Sequence, residues 1–314
     1  MSLPVLLIGF NRPELIAAQL QLLGDLGIKK IYVSIDGGKS DIEQAVCNKT
    51  AQVVRDFKFN GQSFLRARDY NLGCGLGVIS ALDWFFSMEP VGIVLEDDCV
   101  PTLETMQYFL ENQERLFNEN DLGMISAHNP CQISESNIYS TYIFINGWMS
   151  TSEKYSKIRK NLFGFSLPFK TKIPGGRWKL SDAVFWWSTS TRVKLGSHDT
   201  WDSPFLENFA QLGFRSLIPS KNLIQNVGFG VSASHTKDEN GTIFIPSEVL
   251  PNEINQSNFD SLVRKFHFGI KARHSITPFG KVLRDFVVTT RKNFEEILRI
   301  DRENLALSRA EIHQ

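Results

Sequence analysis

The sequence predicts an α/β fold: a Rossmann-like, mostly parallel central sheet flanked by helices, continued by a mixed second lobe and a helical C-terminal tail. Three observations lead there. The first half alternates short apolar runs rich in β-branched residues with segments of helical period, the pattern of successive βαβ units. One run, Val91-Gly92-Ile93-Val94-Leu95, is apolar throughout and reads as a strand covered on both faces. The 314 residues carry 42% hydrophobic and 22% charged side chains, the balance of a globular protein with one large or two fused lobes.

Val5 to Gly9 is the first strand. Asn11 is placed to cap the helix after it, Pro13 suits its first turn, Glu14 complements its dipole, and Leu15, Ile16, Leu20 and Leu23 form its buried stripe. Ile31 to Ile35 is the second strand and ends in Asp36-Gly37-Gly38. A helix from about Asp41 to Phe57 and a third strand, Phe64 to Ala67, come next. The loop from Arg68 to Gly75 leads into a helix over Val78 to Phe86, and Val91 to Leu95 is the fourth strand. Further on, strands are expected near Met124, over Tyr142 to Ile145 and over Phe214 to Ile218, with the aromatic stretch Phe185-Trp186-Trp187 between them. Pro204 sits in the first turn of a helix that leaves Asp202 at its amino end. Residues 237–260 are polar and turn-rich and read as a linker, and beyond Pro278 apolar residues recur at roughly helical spacing.

Composition removes several function classes. Lys and Arg number 34 against 34 Asp and Glu, so no global charge advertises a nucleic-acid partner. The opening strand lacks a basic n-region, and no apolar run approaches the ~20 residues that span a bilayer. Cys47, Cys74, Cys99 and Cys131 are dispersed without a CxxC pair, as expected of free thiols in a reducing compartment, and the cytoplasm is the expected location. From Lys271 onward the tail carries nine Lys and Arg against six Asp and Glu, suited to docking on protein or at an anionic membrane surface.

The chemistry concentrates after the fourth strand, in Glu96-Asp97-Asp98. Such a triplet is either a solvated turn or helix cap, or a cation site. Its place at the carboxyl end of a buried strand, where open α/β sheets bind ligands, favours the second. Packed carboxylates repel unless a cation neutralises them, and hard oxygen ligands suit Mg²⁺ or Mn²⁺ bound with substrate phosphates. Two further stretches stand out: Asp199-Thr200-Trp201-Asp202-Ser203-Pro204, and the glycine-punctuated run from Asn222 to Thr236 that contains His235.

Taken in order, these elements resemble GT-A-type glycosyltransferases, specifically bacterial proteins related to the N-acetylglucosaminyltransferase I family. The likeness covers about residues 4 to 236. It is carried by Phe10-Asn11-Arg12-Pro13 after the first strand, Asp36 after the second, Asn71-Leu72-Gly73, Glu96-Asp97-Asp98, Trp201-Asp202, and Asn226 to His235. It implies a glycosyltransferase domain over 1–240, with a nucleotide-sugar half (1–127) and an acceptor-side half (128–240), followed by a linker and helical extension (241–314). It also implies an inverting transfer from a UDP-sugar to a hydroxyl of a glycan or glycolipid acceptor, with Mn²⁺ or Mg²⁺.

By this resemblance Phe10 and Arg12 bind the nucleotide-sugar, with Arg12 at the diphosphate, where it could equally pair with a surface carboxylate. Asp36 resembles the uracil-contacting acid, although Asp-Gly-Gly is also a plain turn. Arg68 and Asp69 line the nucleotide pocket. Asp98 is similar to the direct metal ligand, while Glu96 and Asp97 hold ribose, a metal-bound water or the donor sugar. His235 either closes the metal's coordination or is structural. Asp202 matches the catalytic base, with a helix cap as its other reading and Asp199 in reserve. One departure is clear: where relatives have a Trp-Gly-Trp-Ala-Thr-Trp-like run, this chain has Asn146-Gly147-Trp148-Met149-Ser150-Thr151, without the second aromatic. A sugar-1-phosphate nucleotidyltransferase would need a glycine-rich phosphate loop after the first strand, and Phe10-Asn11-Arg12-Pro13 has no glycine. A non-catalytic glycan-binding protein on the same fold is the remaining alternative.

Overall fold

The computed structural model describes residues 3–131, 137–164, 180–228 and 253–267. Its first half is β1 (Val5–Gly9), α1 (Pro13–Asp25), β2 (Lys30–Ile35), α2 (Asp41–Asp56), β3 (Gln62–Ala67), α3 (Gly73–Met88) and β4 (Val91–Glu96). There follow β5 (Cys99–Pro101), α4 (Leu103–Asn118), β6 (Leu122–Ser126), β7 (Asn137–Ser140), β8 (Trp148–Thr151) and α5 (Ser152–Arg159). The chain continues through α6 (Leu180–Lys194), α7 (Asp202–Gln211), β9 (Arg215–Pro219), β10 (Ile224–Asn226) and α8 (Phe259–Leu262), which runs into a turn of π-helix at Val263–His267. Among the described residues no helix is long and apolar enough to cross a membrane.

Eight strands form one sheet in the order β3-β2-β1-β4-β8-β6-β9-β7. β3, β2, β1 and β4 are mutually parallel; β8 runs antiparallel to both β4 and β6, β9 is parallel to β6, and β7 is antiparallel to β9. The sheet is therefore mostly parallel, and the second-half strands extend it. Strand periodicity decides which side chain enters which layer. Leu6, Tyr32 and Val94 enter the core beneath α3, α5, α6 and α7. Val5, Leu7, Val33, Ile93 and Leu95 enter the core beneath α1, α2 and α4. From β1 the chain winds outward through β2 to β3, then returns to place β4 on the other side of β1, so a topological switch point lies between β1 and β4.

Three local expectations are corrected. Asn11 does not cap α1: the N-cap is Arg12, and the Asn11 amide donates to Glu43 Oε1 at 3.0 Å. The Tyr142–Ile145 segment is not a strand but an irregular connection between β7 and β8. Its carbonyls find side chains in place of a ladder: Ser216 Oγ donates to the Tyr142 carbonyl at 2.7 Å and Ser126 Oγ to that of Phe144 at 2.8 Å. The third helix begins at Gly73, well before Val78, for reasons that belong to the site. The aromatic stretch Phe185-Trp186-Trp187 lies within α6. In the span read as a linker and extension, Ile254, Phe259 and Val263 are buried in the core that holds Phe144. Asp260 accepts from Ser140 Oγ at 2.6 Å and from the Thr141 N–H at 3.0 Å. The basic tail beyond 267 lies outside the described residues.

Candidate active site at the sheet switch point

A cleft of about 600 Å³ opens over the carboxyl ends of β1 to β4. Each strand end delivers a side chain to it: Phe10 and Arg12 after β1, Asp36 after β2, Arg68 after β3, and Glu96, Asp97 and Asp98 from the end of β4. The opposite wall carries Asp199 and Trp201 from the turn before α7, Asp202 from its first position, and Asn226 and Gly228 from β10 and beyond. Asp69 is exposed in the bend after β3 and does not line the cleft. His235 lies outside the described residues.

Arg12 and the Phe10 N–H hold the acidic floor. Arg12 Nη1 stands 3.1 Å from Asp97 Oδ1 and 3.4 Å from Asp98 Oδ2, and the Phe10 N–H also bonds the Asp97 carboxylate. Gln19 fixes the chain beneath by donating to the Cys99 carbonyl at 2.7 Å. Burial pushes Asp97 up to about 6 against the pull of Arg12. Glu96 is pushed up to about 8, first by burial and then by the charges of Asp98, Asp97 and Asp202. The floor thus binds more protons near neutrality than free carboxylates would.

Asp98 sits where β5 and β10 pair antiparallel, with Cys99 opposite Asn226. The Val227 N–H donates to the Asp98 carbonyl at 2.9 Å and the Asn226 amide to Asp98 Oδ1 at 3.4 Å. A Cβ on Gly228 would come within 2.0 Å of Asp98 Oδ2, so only glycine leaves that oxygen its present place. Among the described residues no set of three carboxylate, histidine or cysteine side chains is grouped to hold a metal ion. The residues that could hold a divalent ion are Asp98 and Asp97 beside it, since a Mg²⁺-type site can take one or two carboxylates from the protein and the rest from waters and substrate phosphates.

The glycine-rich start of α3 forms the far wall. Asp36 accepts the N–H groups of Leu72 and Gly73 at 3.0 and 3.1 Å and the Asn71 amide at 3.1 Å. Burial pushes Asp36 up to about 6, with those bonds opposing. Most of its acceptor capacity is therefore spent on the Asn71–Gly73 loop. Asp199 accepts the next two N–H groups, of Cys74 at 2.9 Å and Gly75 at 2.7 Å. Gly73 has φ +80°, and a Cβ there would meet Asp199 Oδ2 at 2.5 Å. These contacts explain the early start of α3, and nothing local in the sequence ties Asp199 to that helix. Gly73, Gly75 and Gly77, three glycines at alternate positions, were the legible signal.

Asp202, the first residue of α7, lines the cleft half-buried. Its Oδ1 accepts from Thr200 Oγ1 at 2.7 Å and Ser203 Oγ at 3.2 Å, while its Oδ2 makes no hydrogen bond among the described residues. Neither bond caps the backbone of α7. Beneath it Trp201 stacks on Trp148, with ring centroids 6.2 Å apart, and meets Phe205 edge-on at 5.4 Å. Trp148 is 1% exposed, so it supports the site from within the core.

The sequence matches no protein-family model and no curated protein. Among solved structures, a protein titled as a glucose-1-phosphate thymidylyltransferase from Bacillus anthracis, in complex with a sucrose, is similar over 60% of this chain and 83% of that one. Its TM-score is 0.32 at 10% identity, a likeness too loose to carry a functional argument.

Proposed function

We propose that the cleft is the donor site of an inverting, metal-dependent glycosyltransferase of the GT-A type, which transfers a sugar from a UDP-sugar to a hydroxyl of a glycan or glycolipid. One observation carries this reading. Asp202, whose Oδ2 accepts no hydrogen bond among the described residues, lines the same cleft as an acidic triplet and an arginine at a sheet switch point. Switch points receive nucleotides, and cationic donors beside a helix start receive phosphates.

In this reading Arg12, released from Asp97 and Asp98, bonds the donor's phosphates. Asp98, with Asp97 beside it, would hold Mn²⁺ or Mg²⁺ together with those phosphates. When bound, the ion offsets the negative charge on the departing diphosphate. Asp202 Oδ2 takes the acceptor hydroxyl proton as that oxygen bonds the anomeric carbon and the carbon–phosphate-oxygen bond breaks on the opposite face. UDP leaves with the electron pair, and the anomeric configuration inverts. Asp199 is a poorer base, because both of its oxygens already accept backbone N–H groups.

The test is turnover. Removing a general base costs about 10²–10⁴-fold, so Asp202→Asn should lower UDP release from the donor by that factor with UDP affinity unchanged. Wild-type turnover in Asp202→Asn would end this assignment. Release of pyrophosphate from a nucleoside triphosphate and a sugar phosphate would replace the reading with nucleotidyl transfer.

A further inference from the structure

The first four N–H groups of a helix have no partner inside it. At α3 all four, from Leu72 to Gly75, are taken by two carboxylates from distant parts of the chain: Asp36, which precedes Leu72 by 36 residues, and Asp199, which follows Gly75 by 124. The Asp36 bonds stay within the β1–β4 half. The Asp199 bonds tie the turn before α7 to that half. Contact continues along the turn, since a Cβ on Gly75 would lie 3.1 Å from the Thr200 carbonyl oxygen. Thr200 Oγ1 then donates to Asp202 Oδ1 at 2.7 Å. An unbroken series of contacts runs from the start of α3 through Asp199 and Thr200 to Asp202.

We infer that Asp199 is a positioning residue: its two bonds to the start of α3 fix the Thr200–Asp202 turn and so set where Asp202 Oδ2 points within the cleft. This rests on the reading of Asp202 as the base. Asp199 itself is exposed, so its removal strands no buried charge and the fold survives. Misplacement of a reacting group by about 1 Å can cost on the order of 10²-fold in rate, which makes the tie measurable through turnover.

The experiment compares full-length wild type, Asp199→Ala and Asp202→Asn. It reads UDP release from UDP-N-acetylglucosamine and UDP-glucose, UDP affinity with Mn²⁺, the pH profile of kcat, and amide exchange across residues 200–203. Asp199→Ala should lower kcat about tenfold or more with UDP affinity within about twofold of wild type. It should keep the acid limb of the pH profile, which Asp202→Asn abolishes, and exchange at 200–203 should quicken about tenfold. Full kcat in Asp199→Ala alongside loss in Asp202→Asn overturns the inference and leaves the functional reading standing. Full kcat in Asp202→Asn removes the functional reading and the inference with it. Loss of the acid limb in Asp199→Ala would make Asp199 the base, and unchanged exchange at 200–203 overturns the tie whatever the turnover.

Discussion

At the end of β4, Glu96 meets burial and three like charges at once, opposed by Arg12. Its folded-state value of about 8 stands above the ordinary 4.5, so the folded state holds its proton longer than the unfolded chain does. The stability tied to that proton is complete below about 4.5 and is lost as pH rises through about 8. Asp97 and Asp36, each near 6 against an ordinary 3.8, act in the same direction at lower pH. Chelator-treated wild type should therefore lose thermal stability steadily as pH is raised. In Glu96→Gln the loss above about pH 6 should flatten. Calorimetry across that range checks it, and parallel curves for the two proteins would refute the burial account of Glu96. The triplet and Arg12 were legible in sequence because they occupy the ends of two unmistakable strands. The anchoring bonds of Asp36 and Asp199 were not, because their partners lie 36 and 124 residues away and nothing local encodes that distance.

Among the elements, α7 carries Asp202 and is itself pinned from below. Lys194 at the end of α6 lies 2.7 Å from Glu207 of α7, both side chains nearly sealed from solvent at 3% and 2% exposure. Lys194 Nζ also donates to the Gly164 carbonyl at 3.0 Å. Breaking a buried pair by removing one partner costs about 3–5 kcal/mol. Lys194→Met should therefore destabilise the protein by that order in urea titration, since the buried Glu207 carboxylate would lose the Lys194 ammonium. A loss below about 1 kcal/mol would mean the pair is solvated like a surface one. Element boundaries were read well wherever periodicity was strong, as in β1, α2 and β4. They failed at α3, whose glycines look like a loop until the two carboxylates that bind its N–H groups are seen. They failed again at Tyr142–Ile145, an apolar run that imitates a strand while serine hydroxyls bond its carbonyls.

At the scale of the molecule, the sheet order places the carboxyl ends of β1 and β4 side by side, and the second-half strands bring Asp202 and Asn226 over the same opening. The βαβ pattern made the first part of that arrangement legible. The antiparallel insertion of β8 between β4 and β6, which carries the sheet into the second half, has no local signature. The cleft joins Arg12, the Asp97–Asp98 pair and Asp202, whose Oδ2 accepts no hydrogen bond among the described residues, and on the proposed reading this combination receives a metal–diphosphate. Isothermal titration of UDP, with and without Mn²⁺, into wild type and Asp98→Asn tests this most directly. The account predicts UDP binding that is strengthened by Mn²⁺ in wild type and indifferent to it in Asp98→Asn. UDP binding that ignores Mn²⁺ in wild type, or no UDP binding at all, would contradict it.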